Sequence, residues 1–388
     1  MRITGLTCTP VSVPFTGEEV WAYGRRRGIT NVLVELETDE GISGLGEAVG
    51  WPTPEIALAV LESARSDVLG RDAALVGELM ETLSYRRGWH YFRTTAGCAF
   101  AGLEMALWDL TGKAADLPLH VLFGGAVRDR VPYYWYVSSG RPETMGDAAR
   151  EGVSLGFDTL YLKLGFEPGG TVADVAAVRE AVGEEPRLRV DANEAWSVAE
   201  SLRAIRELEP IGVEFVEQPV SMHDLAGLAE VHQRSRVPIA ANQTSWDEST
   251  TLDVLVRGLA SVIVTDPHQA GGLARFRTLA AVAEIADTPI VKHSFGDLGV
   301  STLACAHVLA VCPNAGLAHQ THAQLLADDV VAGGVPPIVE GGLVLPEAPG
   351  IGAELDRDRV ERYAELYRRE GAFSPYEPHA DGRGVSRG

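Results

Sequence analysis

The sequence contains little cysteine and no long apolar run. Its four cysteines, Cys8, Cys98, Cys305 and Cys312, are spread over 388 residues and follow no metal-ligand spacing. We therefore expect reduced thiols and a cytoplasmic protein. The chain starts in strand-like alternation, so we expect no secretion signal. No apolar run reaches the roughly 18 residues that span a membrane.

Basic residues are also scarce, since 33 lysines and arginines face 54 aspartates and glutamates and give a formal net charge of −21. Nucleic acid binding requires a basic face, which this balance excludes. A small anionic substrate is still compatible with it, because a bound metal ion reverses the local potential. The hydrophobic fraction of 46% is enough for a large core.

Two patterns follow one another along the chain. Residues 1–125 combine antiparallel strand signals, over 3–13 and 30–36, with helical periodicity, which predicts an α+β domain. Residues 126–355 alternate strands with helices, which predicts an α/β barrel with a parallel sheet. We assign residues 356–388, which begin with a charged helix, to the first domain. The predicted helices are 55–69, 74–83, 96–114, 172–182, 197–208, 273–285 and 356–370.

Polar residues follow six of the predicted barrel strands at intervals of about 24 to 28 residues, roughly one strand plus one helix. They are Lys163, Asp191, Glu217, Asn242, Asp266 and His293. Because the carboxyl ends of parallel barrel strands meet at one mouth, we expect these side chains to face a single pocket.

Three consecutive members of this series, Asp191, Glu217 and Asn242, offer oxygen donors, which hard cations such as Mg²⁺ prefer. A single strand-end carboxylate is an ordinary structural residue, but three in register favour a metal site. Strand alternation predicts Asn193 on the same face as Asp191, where it orients a ligand or binds substrate. Asn242 carries no charge, which predicts weaker Mg²⁺ binding until a substrate carboxylate joins the metal.

Two proton-transferring groups are predicted around this metal. Lys163 and Tyr161 are two residues apart on one strand and both face the barrel interior, where a nearby cation promotes loss of the lysine proton. A lone His293 would more often be a core residue, but Asp266 on the neighbouring strand can fix its tautomer. Lys292 is predicted to point to the opposite face and has no assigned role. The arrangement suits abstraction of a proton next to a carboxylate.

Three further segments, Glu104–Lys113, Leu122–Gly125 and Pro349–Leu355, resemble family signatures. Together with the strand-end residues they make the chain similar, over nearly its whole length, to the mandelate racemase type of the enolase superfamily. The resemblance implies a modified TIM barrel of (β/α)7β form with an α+β capping domain, and a homo-oligomer. It also implies Lys163 as the base, Asp191, Glu217 and Asn242 as Mg²⁺ ligands, and Asp266 with His293 as a dyad.

Two details favour the acid sugar dehydratases of this superfamily. Muconate cycloisomerases and dipeptide epimerases carry a lysine before a Gly-Gly pair, whereas this chain has Asp266 before Gly271. Asn242 and the pair His293-Ser294 resemble glucarate dehydratase. The leading function is therefore elimination of water from an aldarate or aldonate, giving a 2-keto-3-deoxy acid.

Substrate-binding residues are predicted in three parts of the chain: Tyr161 and Asn193 in the barrel, Trp21, Tyr23 and Arg25 in a loop over the substrate, and Gln320 and His322 late in the barrel. Tyr161 replaces a lysine of the family pattern, and the late stretch has an amide where glucarate dehydratase has an acidic group. Arg25 and its two arginine neighbours suit the distal carboxylate of a diacid, and they equally suit a solvated loop.

Three alternatives stay open. A racemase or epimerase of a hydroxy or amino acid uses the same residues without a β leaving group. Cycloisomerisation is less well supported because of Asp266. A non-catalytic sugar-acid binding protein needs neither base, so variants at Lys163 or His293 distinguish it from an enzyme.

Overall fold

An antiparallel sheet of three strands begins the chain. The structure, a computed structural model, describes residues 1–21, 24–138, 142–164, 170–373 and 377. The strands are β1 (Ile3–Trp21), β2 (Gly24–Thr38) and β3 (Ser43–Val49), adjacent in that order. The alternation in the sequence thus forms the antiparallel sheet that it predicts.

β1 and β2 extend beyond their predicted ends into the segment predicted as a loop. The strands pair again after an irregularity between Pro14 and Glu19, and Glu19 then lies opposite Arg26. The loop prediction is wrong here, because Pro14 interrupts the alternation that marks a strand. Both Glu19 and Arg26 are buried, and the Arg26 guanidinium donates to the carbonyl oxygen of Phe295 at 2.6 Å. The extended hairpin, which we call the cap hairpin (residues 14–21 and 24–28), therefore rests on the barrel.

Four helices follow the sheet: α1 (Pro54–Val68), α2 (Val76–Arg86), α3 (Arg93–Ala115) and α4 (Leu119–Leu122). The first three agree with the predicted helices to within a few residues. α3 approaches β3 so closely that a Cβ atom on Gly46 would lie 2.0 Å from the carbonyl oxygen of Gly102. The small residues of α3 are required by this contact.

The barrel begins with two short strands, β4 (Arg130–Pro132) and β5 (Trp135–Val137). The parallel strands that follow are β6 (Thr159–Lys163), β7 (Arg187–Asp191), β8 (Val213–Glu217), β9 (Ile239–Ala241), β10 (Val262–Thr265) and β11 (Ile290–Lys292). The helices between and after them are α5 (Pro142–Ser154), α6 (Gly170–Val182), α7 (Val198–Leu208), α8 (Leu225–Arg234), α9 (Glu248–Arg257), α10 (Pro267–Ala270), α11 (Leu273–Ile285) and α12 (Gly299–Ala310). β5 to β11 form one seven-stranded parallel sheet in sequence order.

Hydrogen bonds through His319 and Gln320 join the two edges of this sheet. The Gln320 amide donates to the carbonyl oxygen of Lys292 in β11 at 2.9 Å, and the Tyr134 amide donates to that of His319 at 3.0 Å. The strand-like sequence of residues 131–136, which predicts a single first barrel strand, is divided in the structure, because β4 pairs instead with the antiparallel strand β12 (Gly342–Val344). The parallel α/β barrel predicted from the alternation is confirmed.

Buried carboxylates of the first domain cap two barrel helices and so fix the domains together. Glu47 in β3 accepts from the Leu298 and Ser301 amides at the start of α12, and Glu104 in α3 accepts from the Leu273 amide that begins α11. Negative charge at a helix N-terminus is favourable. Burial nevertheless raises the pKa of both Glu47 and Glu104 to about 7.

The charged C-terminal helix α13 (Arg357–Glu370) packs on the first domain. Arg357 pairs with Glu35 at 2.6 Å, and the Tyr367 hydroxyl donates to Glu55 at 2.8 Å. Assignment of the C-terminal segment to this domain, and the domain bounds, stay predictions. All four cysteines are free thiols, and within the described ranges no helix is both long and apolar enough to cross a membrane.

Candidate active site

A cavity of about 180 Å³ lies among the carboxyl ends of the barrel strands and the cap hairpin. Its described lining is Glu19, Trp21, Trp51, Lys163, Asn193, Glu194, Met222, Asn242, Gln243, Trp246, His293, Ser294, Phe295 and Gln320. Lys163 and His293, the two predicted proton-transferring residues, thus reach the same cavity as Asn242. Three of the six strand-end residues thus share one cavity, while Asp191, Glu217 and Asp266 are not among its described lining.

The predicted metal ligands lie side by side next to this cavity. Strand pairing places Lys163 beside Asp191 and Asp191 beside Glu217. Burial and the neighbouring Asp191 carboxylate raise the pKa of Glu217 well above its ordinary value. Two buried oxygens, Glu217 Oε1 and Asn193 Oδ1, have no hydrogen-bond partner in the part of the chain that the structure describes. A divalent cation would satisfy such oxygens, so the residues fit Mg²⁺.

Asn242 is oriented so that its side-chain oxygen is available to the same ion. Its Nδ2 donates to the carbonyl oxygen of Val264 at 3.1 Å, which leaves Oδ1 toward the cavity that Asn242 lines. The Asn242 backbone amide donates to Gln218 Oε1 at 3.0 Å, and the Thr244 amide donates to the same oxygen at 3.1 Å. Gln218 therefore positions Asn242, the predicted third ligand, a role that the sequence did not reveal.

Asn193 reaches the metal site through a turn and not through strand alternation. β7 ends at Asp191, and Asn193 and Glu194 follow with φ of 45° and 64°. Asparagine tolerates this left-handed backbone better than most residues. The Asn193 amide donates to Asp191 Oδ1 at 2.8 Å. Asn193 thus lines the cavity, although strand alternation does not place it there, and its role stays a prediction.

Lys163, Tyr161 and Asp191 form a closed triangle of hydrogen bonds. Lys163 Nζ lies 2.6 Å from Asp191 Oδ2 and 3.1 Å from the Tyr161 hydroxyl, which itself donates to Asp191 Oδ2 at 2.6 Å. Tyr161 is completely buried and lies behind the cavity wall. Burial and the nearby Asp191 carboxylate raise the pKa of Tyr161 well above its ordinary value, so it stays a donor. Tyr161 therefore holds Lys163, the predicted base, and Asp191, a predicted ligand, and its contact with substrate stays a prediction.

Asp266 and His293 are close in the structure but are not hydrogen-bonded to each other. Asp266 Oδ1 accepts from the ring and backbone nitrogens of His268, both at 2.7 Å. Asp266 Oδ2 and His293 Nδ1 are buried atoms without a hydrogen bond among the described residues. Burial lowers the pKa of His293 to about 3, although Asp266 opposes this shift, so the ring is neutral at pH 7. The dyad stays a prediction.

A second group of potential metal ligands, Asp266, His268 and Asp297, lies behind His293. Its centre is taken by Lys292, whose Nζ bonds to Asp297 and lies 3.4 Å from Asp266 Oδ2. Lys292 is 1% exposed and, unlike its neighbour His293, is not among the described residues that line the cavity. The sequence did not reveal its ion pairs. The ammonium group supplies the positive charge that these carboxylates need, which favours the first site for a metal.

The cap hairpin contributes a buried network in place of the predicted arginine clamp. The Arg26 guanidinium pairs with Glu19, and His322 Nε2 lies 3.1 Å from Glu19 and 3.2 Å from Arg26. Burial would raise the pKa of Glu19, but Arg26 and His322 outweigh it and hold the pKa well below its ordinary value. The structure does not bring Arg25 to the cavity, since it pairs with Glu18 at 3.1 Å.

The remaining predicted substrate residues divide into three groups. Trp21 and Gln320 line the cavity, whereas His322 lies behind it and supports Glu19. Tyr23 lies outside the described residues. The sequence missed several lining residues, namely Glu19, Glu194, Met222, Gln243, Trp246 and Phe295. Phe295 follows His293 by two residues, and this spacing was the one sequence feature that could have identified any of these lining residues.

Comparison with known proteins gives related families for both domains. Residues 5–124 match "Mandelate racemase / muconate lactonizing enzyme, N-terminal domain", and residues 144–359 match "Enolase C-terminal domain-like". A D-galactonate dehydratase from Xanthomonas oryzae pv. oryzae is 32% identical over 352 residues, covering 85% of this chain and 90% of that protein.

Two solved structures show the same fold. An enolase from Mycobacterium smegmatis complexed with tartrate is 29% identical, with a TM-score of 0.90 over 98% of this chain and 95% of that chain. A dipeptide epimerase from Enterococcus faecalis complexed with Mg and L-Leu-L-Tyr is 28% identical, with a TM-score of 0.84 over 91% of this chain and 100% of that chain. The predicted fold and superfamily are thereby confirmed.

Proposed function

We propose that this chain, which belongs to the mandelate racemase and muconate lactonizing enzyme family of the enolase superfamily, is a Mg²⁺-dependent dehydratase of acid sugars or related hydroxy acids. The observation that carries the proposal is the convergence of Lys163 and His293 on one cavity beside the oxygen-donor set. A D-galactonate dehydratase at 32% identity supports the reaction type.

The reaction removes the α proton and the β hydroxyl of the substrate. Lys163, once deprotonated, takes the α proton, and the C–H electron pair forms the Cα=Cβ bond. The β C–O bond breaks, and His293 donates a proton so that water leaves. The resulting enol tautomerises to a 2-keto-3-deoxy acid. Bound Mg²⁺, held by Asp191, Glu217 and Asn242, would supply positive charge next to the substrate carboxylate.

His293 can take the acid role although it is neutral in the empty site. Burial disfavours its charged form, and a bound carboxylate would favour it again. Asp266 Oδ2, which has no hydrogen bond among the described residues, is the nearby acceptor that would stabilise the imidazolium. Asp266 Oδ2 and His293 Nδ1, both without a hydrogen bond among the described residues, fit a dyad that forms when substrate binds.

The charges around the cavity favour a substrate with one carboxylate. Lys163 is the one cationic side chain among the described lining residues, and Glu19 and Glu194 also line the cavity. Since Glu19 is paired with Arg26, a distal carboxylate would meet Glu194 and no free arginine. Monocarboxylates therefore fit better than aldarates.

A racemase or epimerase is the second candidate, because proton transfer at Cα can use Lys163 and His293 from different strands. The similarity to a dipeptide epimerase is compatible with it. The two candidates differ in whether a β hydroxyl is lost.

The test incubates the purified protein with Mg²⁺ and a panel of aldonates, including D-galactonate, in D₂O. Keto-acid formation and deuterium incorporation at Cα are measured together, with EDTA as the control. Keto acid that disappears with EDTA supports the dehydratase, and exchange without keto acid supports the epimerase. If no hydroxy acid of any length shows either, the proposed chemistry is refuted.

A further inference from the structure

The outer wall of the cavity is a continuous chain of aromatic rings. Trp21 packs edge-on against Trp51 at 6.2 Å, and Trp51 stacks with Phe295 at 6.0 Å. Trp246 lies 5.6 Å from Phe295, which in turn contacts the His293 ring at 4.7 Å. We call Trp21, Trp51, Trp246 and Phe295, all of which line the cavity, the aromatic wall. It runs from His293 to the cap hairpin.

The polar side chains next to this wall are already engaged within the protein. Glu19 is bound by Arg26 and His322. Ser294 Oγ bonds to His322 Nδ1 at 2.9 Å and accepts from the Gly296 amide at 3.1 Å.

Two further lining residues are also committed. Glu194 accepts from the Met222 amide at 2.6 Å, and Gln320 Oε1 accepts from the Ser294 amide at 3.1 Å. Gln243 Oε1 is buried without a partner within the described ranges, so it can accept from one donor of a ligand. Aromatic rings thus make up most of this side of the cavity, and few free acceptors stand beside them for the hydroxyls of a hexonate.

We propose that the substrate carries an apolar, ring-sized group beyond its β carbon, which the aromatic wall receives. This inference rests on the proposed dehydration and narrows its substrate class. A polyhydroxylated chain at this wall would lose its hydrogen bonds to water without replacement, which is costly. An aromatic or aliphatic ring would instead bury apolar surface against flat aromatic faces. The substrate then differs from that of the D-galactonate dehydratase relatives.

A neutral group fits this wall better than a cationic one. Aromatic rings around a carboxylate are also suited to an organic cation. Here the carboxylate of Glu19 is neutralised by its ion pair with Arg26. A quaternary ammonium acid is therefore included in the test as the competing class.

The first experiment measures binding by isothermal titration calorimetry with Mg²⁺ present. Three probes share an α-hydroxy carboxylate head, namely glycolate, 3-phenyllactate and D-galactonate. Carnitine, a β-hydroxy quaternary ammonium acid, serves as the cationic probe. We expect 3-phenyllactate to bind about 10- to 100-fold more tightly than glycolate, from burial of its ring. D-Galactonate and carnitine are expected to gain nothing over glycolate. Tighter binding of either one than of 3-phenyllactate overturns the inference.

Two variants locate the effect. W51A and W246A should lose about tenfold or more in affinity for 3-phenyllactate and leave glycolate binding unchanged, which also shows that the head site is folded. The control is Y91A, which removes an aromatic side chain that is 79% exposed and should change neither affinity. If both tryptophan variants lose affinity equally for glycolate and 3-phenyllactate, the aromatic wall does not receive the apolar group and the inference is contradicted.

Turnover separates this inference from the proposed function. 2,3-Dihydroxy-3-phenylpropanoate keeps the α proton and β hydroxyl, and loss of water would give phenylpyruvate. Its dehydration, with D-galactonate unreacted, supports both proposals. Dehydration of D-galactonate alone upholds the proposed function and refutes the apolar substrate class. Tight binding of 3-phenyllactate without dehydration of any dihydroxy acid upholds the aromatic wall and refutes the dehydratase.

Discussion

Removing the Tyr161 hydroxyl tests whether this residue positions the base. Y161F keeps the ring, its burial and its stacking on Tyr134 at 4.5 Å. It removes the 2.6 Å bond to Asp191 and the 3.1 Å bond from Lys163. Lys163 keeps its direct bond to Asp191, so the base is retained but held by one contact in place of two.

The expected loss follows from the energy of one charge-assisted hydrogen bond. Such a bond contributes about 1.5 to 3 kcal/mol. If that amount is lost in the transition state, kcat falls about 10- to 100-fold. KM should change little, because Tyr161 does not line the cavity among the described residues. Mg²⁺ affinity should be unchanged or higher, since Asp191 Oδ2 loses a competing donor.

The assay compares kcat and KM for the substrate found in the panel, together with calorimetric Mg²⁺ binding. Y134F is the matched control, because Tyr134 is equally buried and its hydroxyl has no hydrogen bond to Lys163 or Asp191. We expect Y134F to stay within about twofold of wild type. Wild-type kcat in Y161F, or an equal loss in Y134F, would contradict a positioning role for Tyr161.

Three further predictions address other parts of the molecule. Burial raises the folded-state pKa of Glu104 from 4.5 to about 7, so between these two pH values the folded state binds more protons than the unfolded state. The free energy of unfolding should therefore fall as the pH rises from 4.5 to about 7. E104Q should lack this loss of about 3 kcal/mol, as seen by urea unfolding at pH 5 and pH 8. K292M should lower stability by about 3 to 5 kcal/mol, because it leaves Asp266 and Asp297 buried without their cation. K163A and H293N should each abolish keto-acid formation from the substrate found in the panel while glycolate still binds.

The sequence was most informative where one side chain sits at each strand end. The regular spacing of the strand-end residues predicted that Lys163, Asp191 and His293 lie near one another, since parallel barrel strands bring their carboxyl ends to one mouth. It also predicted α11 (Leu273–Ile285) to the residue, because apolar spacing marks a helix. These features depend on local periodicity and on a topology with few alternatives.

The sequence was less informative where a side chain depends on distant partners. Glu19 and Trp246 line the same cavity from segments more than 200 residues apart, and neither stands in a recognisable pattern. Lys292 was assigned no role, although it forms buried ion pairs with Asp266 and Asp297. Its partner Asp297 lies in the following loop, where no periodicity operates. Such networks become visible through tertiary contacts alone.

Tyr161 and Asn242 are uncharged residues at two predicted site positions. A lysine at position 161 would add one positive charge, and an aspartate at position 242 would add one negative charge. Both residues lie around Asp191, which Tyr161 contacts directly. We therefore expect coupling: Y161K and N242D should each destabilise the Mg²⁺-free protein, and the double variant should recover about 1 to 3 kcal/mol relative to their sum. N242D also loses its bond to Val264, so recovery should be incomplete. Urea unfolding of wild type, both single variants and the double variant in EDTA measures this double-mutant cycle. Strict additivity of the changes in unfolding free energy would contradict the expected coupling.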